Sequence, residues 1–207
     1  MNERAAKPPR HPPAGAILAG GRASRYGGIA KGLIECAGTR IIDRLIAEMN
    51  DAGITEIIIL ANDPEHYRSC RCEVVPDLSP GIGPLGGIQA GLTHYAGRRE
   101  AVLFVPCDLP AITANEMTLL MQSFEAEEAS IIVAEDNDFF WHSLCTVVHT
   151  GLLDQVSRAI ESGEHTVSRV WRECGAVPVH FDNPDPFFNI NTPDDLRCWQ
   201  ENHRRCQ

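Results

Sequence analysis

The stretch LAGGRASRYGGIAKG, residues 18–32, sets Arg22, Arg25 and Lys31 among Gly20, Gly21, Gly27, Gly28 and Gly32. Glycines let a loop turn its backbone N–H groups onto an anion, and mobile cationic side chains neutralise phosphate. Two aspartates follow apolar runs further on: Asp77 after EVVP and Asp108 after AVLFVPC. An aspartate at the end of a central strand is placed to hold a magnesium ion beside phosphate oxygens. Asn62 and Asp63 close a third run, EIIILA, and a second glycine-rich loop, DLSPGIGPLGG, contains Gly83. Together these residue types describe a nucleoside triphosphate site with its metal. Arg25, Lys31 and Asp108 are its expected catalytic residues, with Asp108 also its expected Mg2+ ligand.

Such residues act together only if the fold gathers them, and the hydrophobic pattern says how. AGAILA (14–19), EIIILA (56–61), CEVVP, AVLFVPCD (101–108), ASIIVAE, LCTVVH and AVPVHF are short apolar runs suited to buried strands. Between them lie segments with helical spacing. TRIIDRLIAEMNDAG places Ile41, Ile42, Leu45, Ile46 and Met49 on one face, with Thr39 as its expected N-cap. IQAGLTHYAG follows the second glycine-rich loop. TANEMTLLMQSFEAE carries a capping box, Thr113 with Glu116, and TPDDLRCWQENH has Thr192 as cap and Pro193 in its first turn. Strands alternating with helices predict an α/β, three-layer, Rossmann-like fold with a mostly parallel central sheet. Ligands of such sheets sit beyond the carboxyl ends of the strands, where the glycines, Asn62, Asp77 and Asp108 fall.

At 207 residues the chain is expected to form one domain over 14–207, preceded by a disordered Pro-rich leader over 1–13. Hydrophobic residues make up 43% and charged residues 22%, an ordinary globular balance, and no apolar run suggests a membrane span or a secretion signal. A cytoplasmic protein is expected. The net charge of −10 argues against a nucleic-acid partner, so an anionic ligand needs a local cationic site. Eight cysteines lack paired CxxC spacing and are read as free thiols rather than a metal centre.

Two familiar phosphate motifs fail. The P-loop requires GxxxxGK[ST], but Lys31 lies between Ala30 and Gly32. Gly81-Ile82-Gly83-Pro84-Leu85-Gly86 matches GxGxxG, yet PDLSP separates it from its strand and Pro84 removes a backbone donor.

LAGGRASRYGGIAKG, PLGGI, CDLP and NINTPDDL, running in order from about Gly15 to Gln200, resemble the signature segments of the molybdenum cofactor guanylyltransferase (MobA) family. The resemblance implies a nucleotidyltransferase fold and magnesium-dependent transfer of GMP from GTP to the terminal phosphate of molybdopterin, releasing pyrophosphate. It implies that Leu18, Ala19, Gly20 and Gly21 meet the nucleotide, that Lys31 and Arg25 hold the triphosphate, that Asn62 and Asp77 bind the nucleoside, and that Asp108 holds the metal. It places Asn189, Asn191 and His142 on the pterin side. Transient contacts with cofactor-synthesis and molybdoenzyme-maturation proteins follow from the same likeness. Two departures stand out: Ala30 where the family has Asp, and Leu60 where it has the first Asn of N-A-N. A cytidylyl or sugar-nucleotide enzyme of the same fold, and a GTP-binding relative without catalysis, remain open beside it.

Several of these residues also have plainer readings. Asn189 and Asn191 can satisfy local backbone groups. Asp194 and Asp195 favour the dipole of a first helical turn. Trp141 and His142 follow EDNDFF, which reads as an exposed hairpin.

Overall fold

The computed structural model describes residues 12–20 and 30–204. Gly21 and Arg25 lie outside the described residues, as does the expected leader up to residue 11.

The chain builds strands β1 (Ala14–Leu18), β2 (Glu35–Cys36), β3 (Thr39–Arg40), β4 (Ile57–Leu60), β5 (Glu73–Val75), β6 (Ala101–Pro106), β7 (Ile131–Glu135), β8 (Trp141–His149) and β9 (Val177–His180). Its helices are α1 (Ile41–Asp51), α2 (Pro84–Tyr95), α3 (Ala114–Ala126), α4 (Leu153–Glu161), α5 (Val167–Glu173) and α6 (Pro193–Arg204). Seven strands form one sheet in the order β5-β4-β1-β6-β8-β7-β9, and β2 with β3 forms a separate ribbon. β4, β1 and β6 pair in parallel, while β8 runs antiparallel to both neighbours, β6 and β7. From β1 the chain moves outward to β4 and β5, then returns to β6 on the other side. The order therefore reverses between β1 and β6, the kind of crevice where ligands of open α/β sheets bind.

Alternation along the strands explains the three layers. Ile17, Ile59, Leu103 and Val105 face one core with α1, α3 and α6; Ala16, Ile58, Val102 and Phe104 face the other with α2, α4 and α5. β6 is buried along its whole length, as its uninterrupted apolar run requires. Gly91 of α2 lies so close to the sheet that a Cβ would stand 2.8 Å from the Phe104 ring. Glycine there lets the helix settle onto β6.

Local signals held in part. The Thr113–Glu116 capping box forms as read. Thr39 does not cap α1: it pairs with Cys36 in the ribbon, and Arg40 takes the N-cap position without a side-chain bond. The second glycine-rich loop ends at Gly83, because Pro84 starts α2 and carries PLGG into the helix. A proline at the first helical position lacks only an N–H that the helix would not use. β8 is longer than expected, since Trp141, His142 and Ser143 extend it.

No helix among the described residues is long and apolar enough to cross a membrane.

Candidate functional site

At the carboxyl edge of the sheet, Lys31 is the hub. A 3-10 turn, Lys31–Leu33, carries it toward the end of β6. Its Nζ donates to Asp108 Oδ2 at 3.1 Å and to Asn191 Oδ1 at 2.8 Å. Lys31 and Asp108 are both mostly covered, with side-chain exposures of 28% and 18%. The pair is therefore less screened than a surface ion pair. Asp108 is set by the neighbouring backbone: Cys107 N–H donates to Leu18 O, and Ile190 N–H donates to Asp108 O. The segment before α6 is thereby stitched to the end of β6, which brings Asn191 to the lysine.

Asn191 is itself held. Asp195 Oδ2 accepts N–H bonds from Asn191 at 2.9 Å and Thr192 at 2.7 Å, while Asp195 N–H donates to Thr192 Oγ1. This reciprocal cap satisfies the first turn of α6. The N–H of Asn191 contributes most to holding the Asp195 carboxyl below the usual carboxylate range, with the Thr192 groups and the nearby Lys31 charge adding to it. Asp195 is thus more than a dipole-favouring residue. Its signal was a Thr-x-x-Asp cap, legible in NTPDD.

A second cluster lies two and three strands from β6. Asn62, after β4, and Asp77, after β5, form a closed pair: Asn62 Nδ2 donates to Asp77 Oδ2 at 2.8 Å, and Asp77 N–H donates to Asn62 Oδ1 at 2.9 Å. Gly87 of α2 packs beside it, where a Cβ would lie 3.4 Å from Asp77 Oδ1. Leu60, the departure from N-A-N, is buried against α2. Leu18 is also a core side chain, so it offers the edge its backbone. Ala19 N–H donates to Leu60 O, and Gly20 is exposed beyond it. Gly83 caps α2 at a φ of 82°, a conformation glycine adopts without strain.

The pterin-side candidates separate. Asn191 joins Lys31, and Asn189 is exposed. His142 sits at the start of β8, which its antiparallel course puts at this same edge. Its Nε2 lies 3.0 Å from Asp136 Oδ2, and its ring stacks on Phe187 at 4.5 Å. Burial pulls the His142 pKa down, and Asp136 only partly opposes it. The imidazole is therefore neutral near pH 7 and donates to Asp136. Asp136 in turn shapes the hairpin tip by accepting N–H bonds from Asp138 and Phe140.

Among the described residues no group of three or more His, Cys, Asp or Glu converges as a ready-made metal cage. Magnesium is commonly bound by one or two carboxylates together with substrate phosphates and waters. Asp108, a hard oxygen donor at the end of β6, suits that mode.

The chain matches the MobA-like NTP transferase domain over residues 15–177. The molybdenum cofactor guanylyltransferase of Vibrio atlanticus is 36% identical over 185 residues, spanning 87% of this chain and 91% of the relative. That of Photobacterium profundum is 31% identical over 182 residues, spanning 87% and 92%. Among solved structures, the molybdopterin-guanine dinucleotide biosynthesis protein A of Archaeoglobus fulgidus superposes with a TM-score of 0.77 at 22% identity. It covers 93% of this chain and 99% of its own. That likeness is one of fold.

Proposed function

We infer that this chain, which belongs to the MobA-like NTP transferase family, transfers GMP from GTP to the terminal phosphate of molybdopterin and releases pyrophosphate. An oxygen of the acceptor phosphate forms a bond to the α-phosphorus of GTP. The bond from that phosphorus to the bridging oxygen of the β-phosphate breaks, and its electrons leave with pyrophosphate. A phosphate monoester is already largely ionised near neutral pH, so the chain need not supply a general base.

What the chain must supply is position and positive charge, because two anions meet. The single observation that carries the reading is the Lys31 ammonium, held at the carboxyl edge by Asp108 and Asn191. In this reading Lys31 binds the triphosphate and stabilises the charge that grows on the leaving group. Asp108 would hold a magnesium ion, which neutralises phosphate oxygens when bound. Backbone groups of Leu18, Ala19, Gly20 and Gly21, with Gly83, Asn62 and Asp77, receive the nucleotide, and Arg25 adds a second cation. Asn191 belongs with the lysine, and His142 and Asn189 line the acceptor side. The product passes to cofactor-synthesis or molybdoenzyme-maturation proteins, its transient partners.

The test is turnover of purified protein with molybdopterin, magnesium and either GTP or CTP. Formation of the guanine dinucleotide, cut at least a hundredfold by Lys31→Ala and by Asp108→Ala, is expected. Loss of one charge-stabilising group typically raises a barrier by about 3 kcal/mol. Preferential use of CTP would move the protein to cytidylyl transfer. Full activity in Lys31→Ala would remove the lysine from the chemistry.

A further inference from the structure

Tyr67 is wholly buried, at 1% exposure, on the 3-10 turn Pro64–Tyr67 that follows β4. Its hydroxyl makes a long 3.5 Å bond to Ala19 O and packs against Gly32. One phenol therefore touches the chain just after β1 and again just after Lys31. The packing around that contact is close. A Cβ on Gly32 would lie 3.3 Å from the Tyr67 oxygen and 3.4 Å from Cys107 Cβ. Cys107 directly precedes Asp108 and Gly32 directly follows Lys31, so Tyr67 packs where the backbones that carry the Lys31–Asp108 pair come together. Burial pushes the phenol pKa up, which keeps the hydroxyl neutral and able to donate to Ala19 O.

We propose that the Tyr67 hydroxyl is a positioning residue for nucleotidyl transfer, fixing the Lys31 backbone through Gly32 so that its ammonium meets the reacting phosphates. The inference rests on the catalytic reading of Lys31 given above. Tyr67 makes no contact with substrate in it. Its influence reaches the reaction only through where Lys31 starts, and small errors in position are costly to a step that depends on alignment.

Tyr67→Phe removes the hydroxyl and keeps the ring. With GTP and molybdopterin, kcat is expected to fall about tenfold while KM for GTP changes less than about threefold, the pattern of an interaction felt mainly in the transition state. A merely structural tyrosine predicts a different result in the double variant. If Tyr67 works through Lys31, adding Tyr67→Phe to Lys31→Ala produces no further loss in single-turnover rate. An undiminished kcat in Tyr67→Phe, or the same tenfold loss repeated in the Lys31→Ala background, overturns the proposal. Should Tyr67→Phe not fold, as judged by its melting transition, Gly32→Ala probes the contact from its other side and is held to the same two criteria. Wild-type turnover in Lys31→Ala alone would instead overturn the catalytic reading of the site. The two failures are therefore distinguishable.

Discussion

Replacing Asp195 by alanine removes both acceptor bonds at the start of α6 and frees the backbone that presents Asn191 to Lys31. The carboxylate accepts two N–H bonds at 2.9 and 2.7 Å. A hydrogen bond to a charged group contributes about 1.5–3 kcal/mol when buried, but Asp195 is only partly covered, so about 1 kcal/mol each is the fitting value. The sum, about 2 kcal/mol, sits at the upper end for loss of a helix cap. For a chain of this size that lowers the melting midpoint by roughly 4–8 °C. The pH dependence identifies the cause. The folded-state pKa of Asp195 is depressed. Its contribution is therefore fully present above the unfolded carboxylate pKa of about 3.9 and fades as pH falls through the lower folded value. Urea unfolding of wild type and Asp195→Ala should give a constant gap from pH 8 to about 5 that narrows below about 4. Turnover should fall as well, because Asn191 no longer has a fixed backbone. A gap that is absent at pH 7, or that stays unchanged into acid, would refute the account.

Gly91→Ala forces a methyl to within 2.8 Å of the Phe104 ring on the central strand β6. Overpacking of that kind costs about 1–3 kcal/mol, readable as a lower urea midpoint with unchanged slope; a wild-type midpoint would mean that α2 can lift off the sheet freely. Chelating divalent metal with EDTA should abolish turnover and weaken GTP binding in calorimetry by at least about tenfold, since Asp108 then faces the triphosphate with Lys31 as its chief counter-charge. Magnesium should restore both, and undiminished turnover in EDTA would take Asp108 out of metal binding.

The elements were legible where a local pattern decides them. β1, β4 and β6 are apolar runs stopped by Gly20, Asn62 and Asp108, and the cap of α3 is written in Thr113 and Glu116. Thr39 misled because capping preference is a weak local vote, and the β2–β3 ribbon claimed the residue for pairing. The reversed β8 left no trace in composition, since a buried antiparallel strand between two neighbours is as apolar as a parallel one. At the site, residue types announced the chemistry but not the partnerships. Lys31 and Asn191 are 160 positions apart, and only the course of the chain across the sheet makes them neighbours. Tyr67 was not legible at all. A tyrosine in PEHY looks like a surface loop residue, and its proposed role comes from being buried against Gly32, beside a lysine that stands far off in sequence.

Composition adds a last constraint on the hub. The chain has only two lysines, Lys7 and Lys31; every other cation is arginine. A chain so biased toward arginine nonetheless has lysine at the site. The geometry supplies a reason. A single Nζ reaches Asp108 Oδ2 at 3.1 Å and Asn191 Oδ1 at 2.8 Å. An ammonium is a point charge with three rotatable donors, so two are engaged here and one remains to aim at phosphate. A guanidinium is planar and wider, with its donors in a fixed fork that favours bidentate capture of one carboxylate. Lys31→Arg keeps the charge but would lock onto Asp108, occupying the carboxylate proposed for the metal. Turnover should therefore fall by at least about tenfold, although the net charge is unchanged. The shortfall should be accompanied by a raised magnesium requirement, which a simple loss of charge at that position would not produce. Wild-type kcat and an unaltered magnesium dependence in Lys31→Arg would show that only the charge of Lys31 matters, and that its bridging geometry does not.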